Sequence, residues 1–156
     1  MLIEAKTQDF AALLRGEAPI PYRLADSAVA PPEVLAMLAQ LADQIRMAFN
    51  PSAWMIVEDG QIVGLISPTR PLDAADRGLH IGYGVAPTRW GQGVATRAVA
   101  DLAAWARGDD RVHALTAETS VDNPASQTVL TRNGFQIVGE REDSEDGPLI
   151  LWRLEV

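Results

Sequence analysis

Apolar residues recur at helical spacing in two stretches near the start of the chain. After a pair of prolines, residues 32–49 carry apolar side chains every three to four positions, which predicts an amphipathic helix. An asparagine–proline pair ends that pattern. Residues 8–15 predict a shorter helix that stops at Gly16, and the proline-containing segment 19–25 predicts a loop or an edge strand.

The middle of the chain changes to strand-like patterns. Residues 53–59 and 61–67 are rich in β-branched and other apolar residues, and they meet through Asp59-Gly60, which is a strong hairpin signal. A polar loop over 68–78 leads to a third strand at 79–85.

Helices and strands then alternate to the end of the chain. The pattern predicts a helix over 91–107, a fourth strand over 113–120 and a helix over 124–132. The runs 135–142 and 148–156 predict a closing hairpin. A right-handed crossover would place the third and fourth strands side by side or nearly so, with the helix across one face. The fold class is therefore α/β with a mixed sheet.

Composition narrows the class of protein. The 156 residues fit one domain, 1–156, and 47% hydrophobic with 22% charged residues is typical of globular chains. No run reaches the roughly 20 apolar residues of a membrane span, and the start does not resemble a secretory signal. No cysteine is present, which excludes thiolate metal sites, and no metal is expected. A net charge of −8 argues against nucleic acid. We expect a cytoplasmic monomer or homodimer that binds neither nucleic acid nor membrane.

Two glycines, Gly91 and Gly93, stand where the third predicted strand gives way to a helix. Unpaired amides at a helix N-terminus attract anions, and missing β-carbons let a phosphate approach the main chain. The glycines are equally typical of a tight turn that needs positive φ. No Lys-Ser/Thr follows, so this is not a P-loop. Thr96 stands where the dinucleotide-binding motif needs its third glycine or alanine, so the match to that motif is weak.

Two blocks together resemble a known family. GYGVAPTRWGQGVATRAV (82–99) and NPASQTVLTRNGFQIVGERE (123–142) are similar to the conserved blocks of the GNAT acyl-CoA N-acyltransferases, especially the branch with the ribosomal-protein N-terminal acetyltransferases. The resemblance implies the GNAT fold, a single mixed, mostly antiparallel sheet with helices on both faces. It also implies acetyl-CoA as co-substrate. Trp90 stands where the family usually has arginine or glutamine, and Arg89 is one residue early.

The resemblance also implies how the cofactor is held. The pyrophosphate of coenzyme A would lie on the backbone of the glycine turn, with one side-chain contact from Arg89. The backbone of Val85 and Ala86 would pair with the pantetheine arm, which Asn123 would also contact. Asn123 is independently a good N-cap ahead of Pro124. The cofactor-binding residues are then Val85, Ala86, Arg89, Gly91, Gln92, Gly93, Val94, Ala95, Thr96 and Asn123.

Acyl transfer to an amine needs a base, an oxyanion contact and a proton for the leaving thiolate. The resemblance makes Ser126 a candidate acid, although a serine in a first helical turn is often only a capping or solvent residue. Strand alternation puts His80 on one face with two glycines, which suggests a cavity, and histidine titrates near neutrality. Glu118 is the second candidate base, acting through water. Tyr83 is a further proton donor that alternation directs away from His80.

Acidic residues crowd the turn between the last two strands and favour either a cationic acceptor or a merely solvated turn. Glu140, Glu142, Asp143, Glu145 and Asp146 form this run. On the helix predicted over 91–107, we expect Arg97 and Asp101 to form an ion pair at i,i+4 spacing. The resemblance implies an N-acetyltransferase that acts on a protein N-terminus or a small amine. The alternatives are a catalytically silent acyl-CoA-binding module and, more remotely, a nucleotide-dependent oxidoreductase.

Overall fold

One open sheet with four helices packed on its two faces accounts for the whole chain. A computed structural model describes all 156 residues. The helices are α1 (Thr7–Leu14), α2 (Pro32–Arg46), α3 (Val94–Arg107) and α4 (Pro124–Arg132). The strands are β1 (Leu2–Glu4), β2 (Arg23–Leu24), β3 (Trp54–Glu58), β4 (Gln61–Pro68), β5 (Gly78–Val85), β6 (Ala114–Ser120), β7 (Gln136–Asp143) and β8 (Gly147–Glu155).

The sheet is mixed and mostly antiparallel, as expected. Its order is β1-β3-β4-β5-β6-β8-β7, with β2 beside β4. The crossover prediction is confirmed, because β5 and β6 are parallel neighbours joined through α3. The closing hairpin is also present, and its second strand β8 lies between β6 and β7.

Two hydrophobic cores hold the helices to opposite faces of the sheet. The larger core packs α3 and α4 against the central strands and includes Val99, Leu102, Leu115 and Leu130, all fully buried. The smaller one packs α1 and α2 over β3 and β4. Burying these apolar side chains is the main favourable term in folding. The sheet therefore has two distinct covered faces, the α3/α4 face and the α1/α2 face.

A bulge in β4 bends the sheet beside the future site. The register shifts so that Ile56 lies opposite Gly64 and Val57 opposite Ile62, which leaves Val63 as the extra residue. Gly64 is required there because a β-carbon would collide with the carbonyl oxygen of Gly84. The freed Val63 carbonyl accepts from the Ala86 amide at 2.8 Å, and this bond fixes where β5 ends.

The structure departs from the sequence-based expectations in local details. The three-residue β1 was not predicted, and it exists because it pairs with β3. The pairing of Arg97 with Asp101 was wrong, since Asp101 lies 3.4 Å from the N-terminal ammonium. None of the helices combines the length and the apolar composition that a bilayer-spanning helix requires.

Candidate active site

A cleft opens where β5 and β6 stop pairing and diverge. The two strands pair only from Gly78–Ala114 to His80–Thr116, and beyond that pair each remains bonded on its outer side, β5 to β4 and β6 to β8. The gap widens toward the N-termini of α3 and α4 into a cavity of about 730 Å³. Its walls are Tyr83, Gly84, Val85, Arg89, Trp90, Gly91, Gly93, Val94, Ala95, Thr96, Asn123, Ala125, Ser126, Thr128, Val129 and Arg132.

The backbone of β5 presents a free edge to this cleft. The Ala86 amide points toward β4, where it bonds Val63, so the Val85 carbonyl of the same peptide points the opposite way, into the cleft. The Val85 carbonyl accepts from the indole Nε1 of Trp90 at 2.7 Å. Trp90 is otherwise 67% exposed, so its ring lies over the mouth of the cleft.

The glycine turn has the left-handed geometry that the sequence allowed. Gly91 and Gly93 have φ of 72° and 78°, and Gly93 is the N-cap of α3. Positive φ therefore accounts for both glycines. At Gly91, however, a β-carbon would point into open space, with nothing within 4 Å. The first amides of α3 lack intrahelical partners and face this space, which suits an anion.

Two arginines flank the turn and share one carboxylate. Arg97 donates from Nε and Nη2 to Glu58, at 2.8 and 3.0 Å, while Arg89 donates to the same carboxylate at 3.3 Å. The Arg97 side chain hydrogen bond holds the pKa of Glu58 below its usual range. Gln92 is turned toward Arg89, accepting from its Nε at 3.0 Å, and does not line the cleft.

The opposite wall is the first face of α4. Asn123 caps the helix by accepting from the Ser126 amide at 3.1 Å, as predicted. The residues that line the cleft from α4 follow helical spacing, Ala125, Ser126, Thr128, Val129 and Arg132. Arg132 makes no ion pair in the structure. Although the chain carries a net charge of −8, two arginines and no carboxylate line the cleft.

Tyr83 and Ser126 meet across the cleft. A hydrogen bond of 2.7 Å joins their hydroxyl oxygens, and the tyrosine hydroxyl also donates weakly to the Ser126 carbonyl at 3.4 Å. Burial raises the pKa of Tyr83, so the phenol stays protonated well above neutral pH. The two hydroxyl groups can therefore donate one proton to a group bound beside the free edge of β5. Sequence alternation directed Tyr83 away from His80, and the structure agrees.

His80 lies on the other face of β5, in the last residue pair before the strands diverge. A 2.8 Å hydrogen bond joins its Nδ1 to the Thr116 hydroxyl, and its Nε2 lies 4.0 Å from the Glu118 carboxylate. Burial lowers the pKa of His80, the charges of Arg70 and Arg141 lower it further, and Glu118 opposes them. The ring is thus neutral near neutral pH and can accept a proton at Nε2 when Thr116 accepts from Nδ1.

Glu118 is bound on the same face by an arginine from β7. Arg141 donates to both carboxylate oxygens, at 3.1 and 2.7 Å. This bidentate hydrogen bond holds the pKa of Glu118 below its ordinary range. A carboxylate so stabilised is a weak base, which favours His80 for proton abstraction.

Eight of the ten predicted cofactor residues line the cleft, and two do not. Gln92 is turned away. The Ala86 amide bonds the Val63 carbonyl, and the Ala86 carbonyl accepts from the Arg89 amide at 2.8 Å. The Ala86 carbonyl has a second lone pair, so its contact with the pantetheine arm stays a prediction. Of the catalytic candidates, Ser126 lies in the cleft, while His80 and Glu118 lie on the opposite face of the sheet. Sequence reasoning missed Arg132, which the i,i+3,i+4,i+7 spacing on α4 could have revealed.

The acidic turn is split between the two faces of the sheet. Asp143 accepts from the amides of Glu145 and Asp146, both at 3.0 Å, and shapes the turn. In the β7–β8 register Glu140 and Glu142 alternate with Arg141, so they lie on the face away from His80.

Comparison with known proteins identifies the family. A family model described as an acetyltransferase (GNAT) domain matches residues 3–136. The ribosomal-protein-serine acetyltransferase of Escherichia coli (strain K12) is 28% identical over 92 residues, which are 59% of this chain and 51% of that protein. The chain thus spans about half the length of this curated relative.

Two solved structures show the same fold at low identity. RimL, a ribosomal α-N-protein acetyltransferase in complex with coenzyme A, superposes with a TM-score of 0.74 at 18% identity, over 99% of this chain and 93% of that one. MccE, the microcin C7 self-immunity acetyltransferase in complex with acetyl-CoA and AMP, has a TM-score of 0.71 at 17% identity, over 99% and 91%. With the family model covering most of its residues, the chain belongs to the GNAT acetyltransferase family.

Proposed function

We propose that this protein is an N-acetyltransferase that transfers the acetyl group of acetyl-CoA directly to a primary amine. The observation that carries the proposal is the divergence of β5 and β6 after the His80–Thr116 pair. It opens a cleft between two helix N-termini on one face of the sheet and brings the end of that cleft beside a neutral histidine on the other.

The cleft residues suit coenzyme A. The phosphates would lie on the amides of Gly91, Gly93 and the first turn of α3, with Arg89 or Arg132 alongside. The open space at Gly91 and the absence of lining carboxylates support this placement. The pantetheine arm would pair with Val85, whose carbonyl now accepts from Trp90, so the indole must share or yield that oxygen. Asn123 would contact the arm from the opposite wall.

The chain supplies each proton and charge that the transfer needs. The co-substrate provides the thioester. His80 Nε2 takes a proton from the attacking amine, a β5 amide near Val85 stabilises the oxyanion, and the Tyr83–Ser126 pair protonates the leaving sulfur. The amine and the thioester would meet where β5 and β6 part, so they approach from opposite faces of the sheet. The acceptor is a protein N-terminus or a small amine.

Binding and turnover test the proposal in turn. Isothermal titration with acetyl-CoA, coenzyme A and NAD should show binding of the first two only, and a thiol-release assay with an amine panel should show turnover. Binding of NAD without binding of coenzyme A would overturn the cofactor assignment. Acetyl-CoA binding without turnover on any amine would instead indicate a silent acyl-CoA-binding module.

A further inference from the structure

The guanidinium of Arg89 is held by three acceptors at the wall of the cleft. Its Nε donates to Gln92 at 3.0 Å, its Nη1 to Gln61 at 3.2 Å and its Nη2 to Glu58 at 3.3 Å. The side chain is only 19% exposed, and the residue lines the cavity. Since a guanidinium has five N–H donors, one on each Nη forms no hydrogen bond within the protein. These two N–H groups are available to an anion in the cleft.

Two of the three acceptors come from the β3–β4 hairpin and not from the glycine turn. Glu58 ends β3 and Gln61 begins β4, and the two residues pair across the Asp59-Gly60 turn. They are separated from Arg89 by 31 and 28 residues of sequence. The hairpin therefore sets the position of the guanidinium from outside the segment that carries it.

Glu58 is itself fixed by a third segment of the chain. Arg97 of α3 donates to both carboxylate oxygens of Glu58, at 2.8 and 3.0 Å, in a bidentate pair. The carboxylate is 17% exposed, whereas Arg97 is largely exposed and does not line the cavity. Arg97 thus anchors Glu58, and Glu58 connects α3 to the arginine that faces the cleft.

We propose that Glu58 is a positioning residue of the cofactor site, which fixes the Arg89 guanidinium so that its two free N–H groups bind a phosphate of coenzyme A. The inference rests on the proposed function and adds to that site a residue outside the cleft lining. Without the carboxylate, Arg89 loses one of its three fixed points. Its side chain must then be ordered when the cofactor binds, and the lost side-chain entropy weakens binding.

Charge alone predicts the opposite effect. Coenzyme A is a polyanion, and Glu58 is a negative charge close to the proposed phosphate site, so removing that charge should tighten binding by Coulomb's law. Glutamine in its place keeps one oxygen acceptor but replaces the other by an NH2 group, which cannot accept from an arginine. The sign of the change in Kd therefore separates positioning from simple electrostatics.

Isothermal titration of coenzyme A and acetyl-CoA into the Glu58→Gln variant tests the proposal. We expect Kd to rise about tenfold, the low end of the range for a hydrogen bond to a charged group. The KM for acetyl-CoA should rise by a similar factor at unchanged kcat, because the phosphate contact is the same in the ground state and the transition state.

Asp109→Asn is the matched control. Asp109 also forms a bidentate pair with an arginine, accepting from Nε and Nη2 of Arg111 at 2.9 and 2.7 Å, and its side chain is 18% exposed. It lies beyond the far end of α3 and does not line the cleft. The control should lose a similar amount of stability in melting curves and leave both Kd and KM unchanged.

A double-mutant cycle shows whether Glu58 acts through Arg89. Arg89→Gln alone should raise Kd at least about tenfold, and Glu58→Gln should then have no further effect in that background. Additive losses would show that Glu58 acts on the glycine turn by another route and would overturn the inference.

The outcomes separate this inference from the proposed function. Tighter binding in Glu58→Gln, or equal Kd values in Glu58→Gln and Asp109→Asn, would overturn the positioning role and leave the proposed function in place. Failure of the unmodified protein to bind coenzyme A or acetyl-CoA would overturn both.

Discussion

Replacing Gly91 by alanine separates the two explanations of the glycine turn. The residue has φ of 72°, and its added methyl group would meet no protein atom within 4 Å. Alanine in the left-handed region costs about 1 kcal/mol. With an unfolding entropy of about 2.1 cal/mol/K per residue, the 156 residues give roughly 330 cal/mol/K. The cost therefore corresponds to a fall of about 3 °C in Tm.

The chain offers a matched control for the strain. Gly16, at the end of α1, has φ of 75° and also has open space where a β-carbon would lie. Gly16→Ala should lower Tm by a similar amount because the backbone penalty is the same. It lies outside the cleft, so it should leave binding of coenzyme A unchanged.

Binding then distinguishes the turn from the phosphate site. If a phosphate occupies the open space at Gly91, the new methyl group excludes it, and Kd for coenzyme A in Gly91→Ala should rise at least about tenfold, or 1.4 kcal/mol. Isothermal titration at fixed salt measures this directly, and calorimetry gives Tm. Equal Kd values for Gly91→Ala and Gly16→Ala would show that the glycine serves the turn alone and would refute the phosphate placement.

Three further predictions concern the proton donor, the base and the carboxylate behind the turn. Tyr83→Phe should lower kcat about tenfold to a hundredfold with little change in KM for acetyl-CoA, because the thiolate loses its proton source; an unchanged kcat would leave Ser126 as sole donor. In the pH profile of kcat/KM, the acid limb should lie below pH 6.5, since burial and two arginines depress the pKa of His80. Arg141→Gln should move this limb to higher pH. A limb that stays in place would show that His80 is not the base. Glu58→Gln should lower the free energy of unfolding by about 1 kcal/mol at pH 7, and Tm by about 3 °C. The folded pKa of Glu58 lies below its ordinary 4.5, so that stability is present above pH 4.5 and lost as pH falls through the folded value; melting curves of wild type and variant should converge in acid, and a constant gap would contradict the ion-pair argument.

Local chemistry explains which parts of the fold were predictable. The bounds of α4 follow from an asparagine cap, a proline at the first helical position and Gly134, whose φ of 83° ends the helix. Each signal acts within a few residues. Contacts between residues far apart in the sequence were not predictable in this way. Arg97 pairs with Glu58, 39 residues away, rather than with its i,i+4 neighbour Asp101. A carboxylate held from two nitrogens is a better partner than one on an exposed helix surface, and only the folded hairpin brings it there.

The two faces of the site depend on a single strand pair. Alternation alone puts His80 and Tyr83 on opposite faces of β5, which taken locally would separate base from acid by the thickness of the sheet. The strands part directly after the His80–Thr116 pair, so His80 stands at the closed end of the gap on the α1/α2 face, while Tyr83 and Ser126 line the cleft on the α3/α4 face. Beyond that pair, β5 stays hydrogen-bonded to β4 and β6 stays hydrogen-bonded to β8. The sheet therefore loses few backbone hydrogen bonds where the two strands separate. The sequence signals this division only indirectly, through the proline that ends β5 and the glycine turn that follows it.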